Sequence, residues 1–457
     1  MPGAKMQRPP SSEIGKEHTI ALKTRTAHAL VWSMALLPVG FFLAGLVPAD
    51  FASVSAVLNL LGRLTGVAGL ALLLLAAALS VRVPGVDLPF GGLTKLWHTH
   101  HLLGAASLLL LLVHPLLLAF AASARGDGLA FSTLFPPLAD WATWVGWLAL
   151  LLLMVFLAPS FAFFGAPNYE RWKKMHALAG PAVILALIHT FLLSRTMPGP
   201  TDNLIWSLFA LLGVGALGWR LVFSRRIGRL PYTVTRVDAV ADGVVELSLR
   251  PDRGHLRYAA GNFVYLTPFD PGLAAGHREE HPYTLSSSPL ETELRIAIKA
   301  LGDASRAIQS IPVDTPVTVE GPYGRFFPLD ARVTTPELWV AGGIGVAPFL
   351  ARMRHLRALG ESGNIHLVYA VQDQSRAVFA RELRQLAAGI PGFSLTFHHF
   401  FREGPVTATF LGTVCPDLAR RDVYICGPLA LNQLIREHVL EAGVRAERIH
   451  SEEFELL

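Results

Sequence analysis

Cysteine is almost missing from these 457 residues. Only Cys415 and Cys426 occur, so a disulfide framework is excluded as a source of stability. Charge is scarce as well: Asp, Glu, Lys and Arg make up 16% of the chain, against 52% hydrophobic residues. An ordinary soluble domain carries roughly 25% charged residues. No A-x-A cleavage pattern follows the first apolar run, which therefore reads as a retained span and not as a cleaved signal peptide. The shortage of charge is also uneven. Up to about residue 224 the sequence is rich in Leu and Ala and broken into long apolar runs; beyond it charged residues return.

Six of those runs are long enough to cross a bilayer, which takes about 20 apolar residues each. They lie at 28–47, 56–80, 97–120, 141–159, 175–194 and 203–223. One soluble core could not absorb them all. Lys and Arg in the short connections set the orientation. Lys5, Arg8, Lys16, Lys23 and Arg25 precede the first span, Arg82 and Lys95 follow the second, Arg171, Lys173 and Lys174 follow the fourth, and Arg225, Arg226 and Arg229 follow the sixth. The other connections offer only Arg125 and Arg195. Both termini are thus expected in the cytoplasm, with the third and fifth spans running outward. This bias accounts for the net charge of +5 without a nucleic-acid partner.

Four histidines sit within these apolar runs. Ionisable side chains in hydrocarbon are rare and mark function by default, and neutral imidazole is a common metal ligand and a usual axial ligand of haem iron. His100 and His114 are fourteen apart; on a helix that is roughly 40° short of four turns and about 21 Å of rise, so they share a face. His101 is thirteen from His114 and falls roughly 140° out of phase. His98 and His101, near a helix start, read as interfacial. His176 and His189 are also thirteen apart, and Pro181 between them supplies a place for the helix to bend. Gly104 and Gly180 each lie four residues after a candidate ligand, where a missing side chain clears room for a flat macrocycle. Because the third and fifth spans run the same way, His100 meets His176 on the inner side and His114 meets His189 on the outer side. That set of metal ligands suits two stacked b-type haems, and no C-x-x-C-H attachment sequence is present.

The charged half divides in two. YTVTRV and VVELSLR alternate with period two across Asp242-Gly243, a hairpin signal, and short strands follow at 262–267, 294–299 and 317–320. A small antiparallel barrel over 230–330 fits. From 334 to 457, strands (ELWVAGG, NIHLVYAV, SLTFHHF, DVYICG) alternate with helical segments, which implies a parallel sheet. In VAGGIGVAPFL a strand runs into Gly342-Gly343-Ile344-Gly345, and a helix opens around Pro348. Glycines there permit a tight turn and close approach of backbone N–H groups to a pyrophosphate.

His281-Pro282-Tyr283-Thr284-Leu285-Ser286-Ser287 resembles the flavin motif of the ferredoxin–NADP reductase family, in the form carried by NADPH oxidases and ferric reductases. The resemblance implies that Tyr283 packs on the flavin, that Thr284 bonds near its N5, and that His281, Pro282 and Ser286 contribute to the same site. Lys299 and Gly302-Asp303-Ala304-Ser305 resemble the segment holding the FAD pyrophosphate. Gly342, Gly343, Gly345 and Pro348 match the nicotinamide-nucleotide motif. Cys426-Gly427-Pro428 matches the segment beside the nicotinamide ring. Phe454 resembles the aromatic that shields the flavin, although three residues follow it. Thr284, Cys426 and Phe454 are then the candidate catalytic residues.

Joined to the paired histidines, these motifs make the chain similar over nearly its whole length to the NADPH oxidase/ferric reductase superfamily in its compact bacterial form. The expected architecture is multidomain. A cytoplasmic tail (1–27) leads into an all-α six-helix transmembrane haem domain (28–223), then an antiparallel β-barrel FAD domain (230–330) and an α/β parallel-sheet NAD(P) domain (334–457). The implied activity is NAD(P)H-dependent electron transfer across a plasma membrane, the inner one of a bacterium, to a ferric chelate or oxygen. Delivery to a quinone or a periplasmic protein is the alternative. Intact flavin and nucleotide motifs disfavour a non-enzymatic redox sensor or ion conductor. Departures from the family leave details open. Leu118 stands where the animal oxidases often carry a further histidine, and Ala304 where they usually have tryptophan. Gln372 replaces a frequent arginine, while Arg376 is within reach of a 2′-phosphate, so NADH and NADPH both stay in play.

Overall fold

The computed structural model describes residues 11–83, 85–160, 169–193, 200–224, 228–328 and 332–453. The chain forms two compact units, divided between Ile227 and Gly228.

The first unit is helical: α1 (Ser11–Ala44), α2 (Val54–Leu79), α3 (Leu93–Ser123), a short α4 (Leu129–Leu134), α5 (Trp141–Leu157), α6 (Tyr169–His176), α7 (Ala179–Leu193) and α8 (Thr201–Gly218), which runs on into a π turn at Trp219–Phe223. Among the described residues, six stretches are long and apolar enough to cross a membrane: Thr24–Ala44, Val54–Leu79, Leu93–Ser123, Trp141–Ser160, Arg171–Leu193 and Thr201–Phe223. Large apolar side chains such as Leu109, Leu211 and Leu221 face outward, as lipid-facing residues do. Glycines draw α2 and α3 together. A side chain at Gly62 would stand 2.8 Å from Leu118, and one at Gly69 would stand 2.7 Å from Leu111, so small residues let the two helices close up.

The fifth span is where the sequence and the structure part. Instead of one helix through 175–194, α6 ends at His176 and α7 begins at Ala179. Pro181 lies in the first turn of α7. Its ring excludes the carbonyl of Ala177 four residues back, and Ala177 and Leu178 form a turn with Gly180 bonded to Ala177. The break resets the angular phase between His176 and His189 that a straight helix could not match.

The second unit begins with six antiparallel strands: β1 (Arg229–Ala241), β2 (Val244–Pro251), β3 (Phe263–Pro268), β4 (His281–Thr284), β5 (Leu294–Lys299) and β6 (Pro316–Tyr323), with α9 (Asp303–Ala307) after β5. Their order is β4-β3-β6-β1-β2-β5, and a bridge between Leu285 and Ile296 joins the two edges into a barrel. Inward residues Val245, Leu247, Leu249, Leu294, Ile296 and Ile298 fill its core.

Five parallel strands follow: β7 (Glu337–Gly342), β8 (Ile365–Val371), β9 (Phe393–His399), β10 (Asp422–Gly427) and β11 (Ile449–Glu453), in the order β11-β10-β7-β8-β9. Helices α10 (Ala347–Leu359), α11 (Ala380–Gly389), α12 (Phe400–Glu403), α13 (Ala408–Val414) and α14 (Leu429–Glu441) make the connections. One sheet face packs Trp339, Leu367, Tyr369 and Tyr424 against α10, and the other packs Leu338, Val340, Val423 and Ile425 against α14. Val244 and Ala297 of the barrel join the first of these cores. This explains why β2 is buried along both faces although an antiparallel strand ordinarily shows one face to water.

Candidate functional site

In the helical unit, the fourteen-residue repeat of α3 is mirrored on α2. His100 Nδ1 donates to the Ala76 carbonyl at 2.8 Å, and His114 Nδ1 donates to the Gly62 carbonyl at 2.7 Å. Ala76 and Gly62 are themselves fourteen apart, as antiparallel pairing requires. His189 Nδ1 donates to the Ala142 carbonyl of α5 at 2.8 Å. Since a carbonyl only accepts, each ring carries its proton on Nδ1 and keeps a lone pair on Nε2, the state of an imidazole ready to bind a metal. Glycines make the seats. A Cβ at Gly66 would lie 2.7 Å from His114 Nδ1, and one at Gly146 would lie 2.6 Å from His189 Nδ1. His176 differs, because its buried Nδ1 has no hydrogen-bond partner among the described residues. It stacks on Trp172 at 4.8 Å, and its centroid is 6.2 Å from that of His100. Two metal–nitrogen bonds of about 2 Å plus two ring radii span about 6 Å, so the separation of this pair would suit a shared metal ion.

Other features of the unit agree with a macrocycle. Gly104 is buried, yet nothing lies within 4 Å of where its Cβ would be, and only Leu217 comes within 4 Å at Gly180. His98 and His101 are exposed. Among the described residues no three His, Cys, Asp or Glu side chains cluster as a metal cage, and a haem iron needs none. Sequence reasoning missed Arg63, a cation within a span whose Nη2 lies 2.6 Å from Asp50 Oδ1; its place inside the apolar run 56–80 was the available signal.

In the barrel, His281 and Tyr283 point to one side of β4 and line a pocket with Leu266, Gly276 and Ala304. The segment Gly302–Ser305 is thereby brought to the flavin motif. Tyr283 also leans on the barrel core, and burial pushes its phenol above the usual range. Thr284 faces the other way, paired in register with Phe263. It is buried, and its Oγ1 has no hydrogen-bond partner among the described residues, which suits a hydroxyl meant for a flavin nitrogen. Ser286 is otherwise engaged: its Oγ donates to Glu246 Oε1 at 2.6 Å. Ser305 Oγ accepts from the N–H groups of Leu301 and Gly302 at 2.9 and 2.8 Å. Lys299 is exposed at the end of β5, and Pro282 is half-buried in β4.

The nucleotide motif lies where the strand order reverses, between the carboxyl ends of β7 and β10. Open parallel sheets bind ligands at that point. Gly343 (φ +55°) has no atom within 4 Å of where a Cβ would stand, whereas a Cβ on Gly345 would lie 2.8 Å from Gly427 Cα, and one on Gly427 would lie 3.0 Å from Gly342 Cα. Gly343 is therefore the open member of the motif, while Gly342, Gly345 and Gly427 let two loops touch. Pro348 is buried in the first turn of α10 and Pro428 caps α14. Cys426 is fully buried, and desolvation holds its thiol well above the usual value. Phe454 lies outside the described residues.

Sequence reasoning also missed Glu452, paired in register with Cys426 on β11. Its Oε1 would lie 2.7 Å from a Cβ on Gly324, beside Phe263. Burial pushes this carboxyl up to about 8, with the Arg325 N–H pulling the other way, so it carries a proton at neutral pH. Burial likewise pushes Glu337 up to about 7. Native protein then binds protons that the unfolded chain releases near 4.5. The stability they confer is complete below pH 4.5 and lost as pH rises through 7 to 8, at most about 1.4 kcal/mol per pH unit for each group. Between pH 5 and 8, Glu452→Gln should gain a few degrees in melting temperature relative to wild type; a gap that does not change with pH would count against the protonated carboxyl.

Three segments of the chain match known protein families. Residues 65–187 match the model of a ferric reductase like transmembrane component, 229–326 an FAD-binding domain, and 339–437 an oxidoreductase NAD-binding domain. The ferredoxin reductase component of 3-ketosteroid-9-alpha-monooxygenase from Mycolicibacterium smegmatis is 33% identical over 210 residues, 44% of this chain and 57% of that protein. A ferredoxin–NAD(P)(+) reductase component of naphthalene 1,2-dioxygenase/salicylate 5-hydroxylase systems from a Ralstonia species is 26% identical, covering 49% of this chain and 68% of that one. The chain thus spans less than two thirds of the length of the first of these relatives. Among solved structures, the FAD/NAD binding domain of a nitric oxide dioxygenase from Vibrio cholerae overlaps 49% of this chain and 97% of its own, at 24% identity and a TM-score of 0.44. Together the three matched segments give this multi-pass membrane protein the architecture of the ferric reductase/NADPH oxidase-like oxidoreductases.

Proposed function

We propose that the chain is a transmembrane oxidoreductase that carries electrons from cytoplasmic NADH or NADPH to an acceptor on the outer side, a ferric chelate or oxygen, with FAD and two b-type haems as its cofactors. The observation that carries the reading is the set of three intramembrane imidazoles, His100, His114 and His189, each held by a carbonyl at Nδ1 with Nε2 left to bind metal. When bound, the flavin accepts hydride and the haem irons carry single electrons. The protein's share is positioning. His100 and His176 would hold the inner iron and His114 and His189 the outer one. Tyr283 would pack against the flavin, and the Thr284 hydroxyl, without a partner among the described residues, would bond near its N5. Gly302, Ser305 and Lys299 hold the FAD pyrophosphate. Gly343 gives the nucleotide pyrophosphate access to backbone N–H groups, and Cys426, neutral and dry, borders the nicotinamide. By the resemblance of the ending IHSEEFELL, Phe454 would shield the flavin. Both termini lie in the cytoplasm, so an outward-moving electron gains about 2.3 kcal/mol per 100 mV of inside-negative potential.

A second reading is electron delivery to a quinone or a periplasmic protein. Its protein-acceptor branch is supported by the names of the relatives, which are ferredoxin reductase components of oxygenase systems. One experiment tests both. Purified protein given NADH or NADPH without oxygen should show a reduced-minus-oxidised spectrum of b-type haem. Ferric chelate, oxygen and quinone are then compared as reoxidants. A spectrum that shows no haem overturns the proposal; reoxidation by quinone alone selects the second reading.

A further inference from the structure

Helix α10 starts at the nucleotide loop and is fastened, two turns on, to the flavin motif. The fastening is Arg354, whose side chain is 5% exposed. Its Nη1 donates to Glu246 Oε1 and to the Ser286 carbonyl, both at 2.8 Å. Its Nε and Nη2 grip the two oxygens of Glu382 at 2.7 and 2.8 Å. Glu246 lies on β2 of the barrel and also accepts the Ser286 hydroxyl. Burial works against the charge on Glu246, but the hydrogen bond and charge of Arg354, the Ser286 hydroxyl and the nearby Arg295 together outweigh it and keep the carboxyl below its usual range. The next residue of α10 repeats the attachment, with His355 Nδ1 and Ser288 Oγ 3.1 Å apart. Ser286 is two residues beyond Thr284. Arg354 is seven residues, or about 10 Å, from the start of α10. Glu382 belongs to α11, which follows the loop 372–376 at the end of β8.

Apolar contacts alone would keep these parts together. Val244, Ala297, Phe326, Phe327 and Phe349 share one core across the barrel and the sheet, and a buried ion pair is weak evidence of added stability, since apolar residues of like volume often do as well. A planar guanidinium with a fixed fork supplies direction instead. We propose that Arg354 is a positioning residue: through Glu246, Ser286 and Glu382 it sets the register of the nucleotide loop against the flavin motif, and so the alignment of nicotinamide and flavin for hydride transfer. This inference rests on the cofactor placement of the proposed function.

The test uses the full chain, loaded with FAD and haem, mixed anaerobically with NADH or NADPH. Flavin reduction is followed per bound flavin. A displacement near 1 Å costs about 100-fold in rate, so Arg354→Met, Arg354→Lys and Glu246→Gln should each slow that step by roughly 10- to 100-fold. Nucleotide affinity should change by less than about threefold, because a group that only aligns the reactants leaves ground-state binding alone. The long-wavelength absorbance of the nucleotide–flavin complex should weaken. Haem reduction begun by photoreducing the flavin should keep its wild-type rate. The Arg354→Met/Glu246→Gln pair should be no slower than the worse single variant, as expected of one unit. If Arg354→Met does not accumulate, the other two substitutions decide. Rates per flavin within about twofold of wild type in these variants, or losses that added FAD restores, overturn the inference. A wild-type protein that accepts no electrons from either nucleotide overturns the underlying reading and this inference with it.

Discussion

His114→Ala and His189→Ala should each leave the purified protein with one haem per chain where wild type should carry two, while flavin reduction by NADH or NADPH continues. Either imidazole offers its Nε2 because a carbonyl of a neighbouring helix takes the Nδ1 proton. Alanine removes both the ligand and the ring that fills the space at Gly66 or Gly146. Flavin reduction persists because the barrel and the nucleotide sheet form a separate compact unit with their own cores. Electron flow to any outer acceptor should stop. On the inner side His100→Ala should lose the other haem, and His101→Ala should keep both, since His100 alone of the two holds a carbonyl on α2. Haem counted per chain by the pyridine haemochrome checks all four. Two equivalents in His114→Ala or His189→Ala would refute the ligand set, and a reversed result at 100 and 101 would refute the choice between them.

What could be read from the sequence follows from how local each signal is. The α3 pair was legible because fourteen residues nearly complete four turns and one helix carries both histidines. The phase of the second pair, His176 at the end of α6 and His189 on α7, was not, since its spacing makes sense only once the chain breaks at Ala177 and Leu178, and the break depends on how Pro181 meets its own preceding turn. The hairpin of β1 and β2 was announced by Asp242-Gly243 and by alternation. Strand β4 was hidden because four residues containing a proline show no period, and β11 because charged Ser451-Glu452-Glu453 does not look like a strand until β10 pairs with it. The flavin and nucleotide motifs were legible as motifs. The roles of individual members were less so. Ser286 turns to Glu246, and Glu246 is 108 residues from Arg354, a separation at which no local pattern connects two side chains.

The second large effect is expected at Gly345, and the structure changes its reason. From the sequence, a side chain there would keep the backbone from a pyrophosphate. In the fold the collision comes first, because a Cβ would stand 2.6 Å from the carbonyl carbon of Cys426 and 2.8 Å from Gly427 Cα. Neither can yield easily, since β10 is paired on one side with β7 and on the other with β11. Overpacking a rigid core costs about 1–3 kcal/mol and sometimes more, and two further carbons of valine add to it. Gly345→Val should therefore lower the melting temperature of the second unit by several degrees and abolish NAD(P)H oxidation at any nucleotide concentration, with the haem content unchanged. Gly343→Ala is the contrast. No atom stands within 4 Å of its Cβ position, so the penalty is only the left-handed backbone, about 1–2 kcal/mol. Its main effect should be a higher KM for the nucleotide. Thermal melting and steady-state kinetics on the two variants separate the cases. A Gly345→Val protein that melts like wild type and shows only a raised KM would mean that the loops at β7 and β10 can part, and that the glycine is kept for the ligand after all.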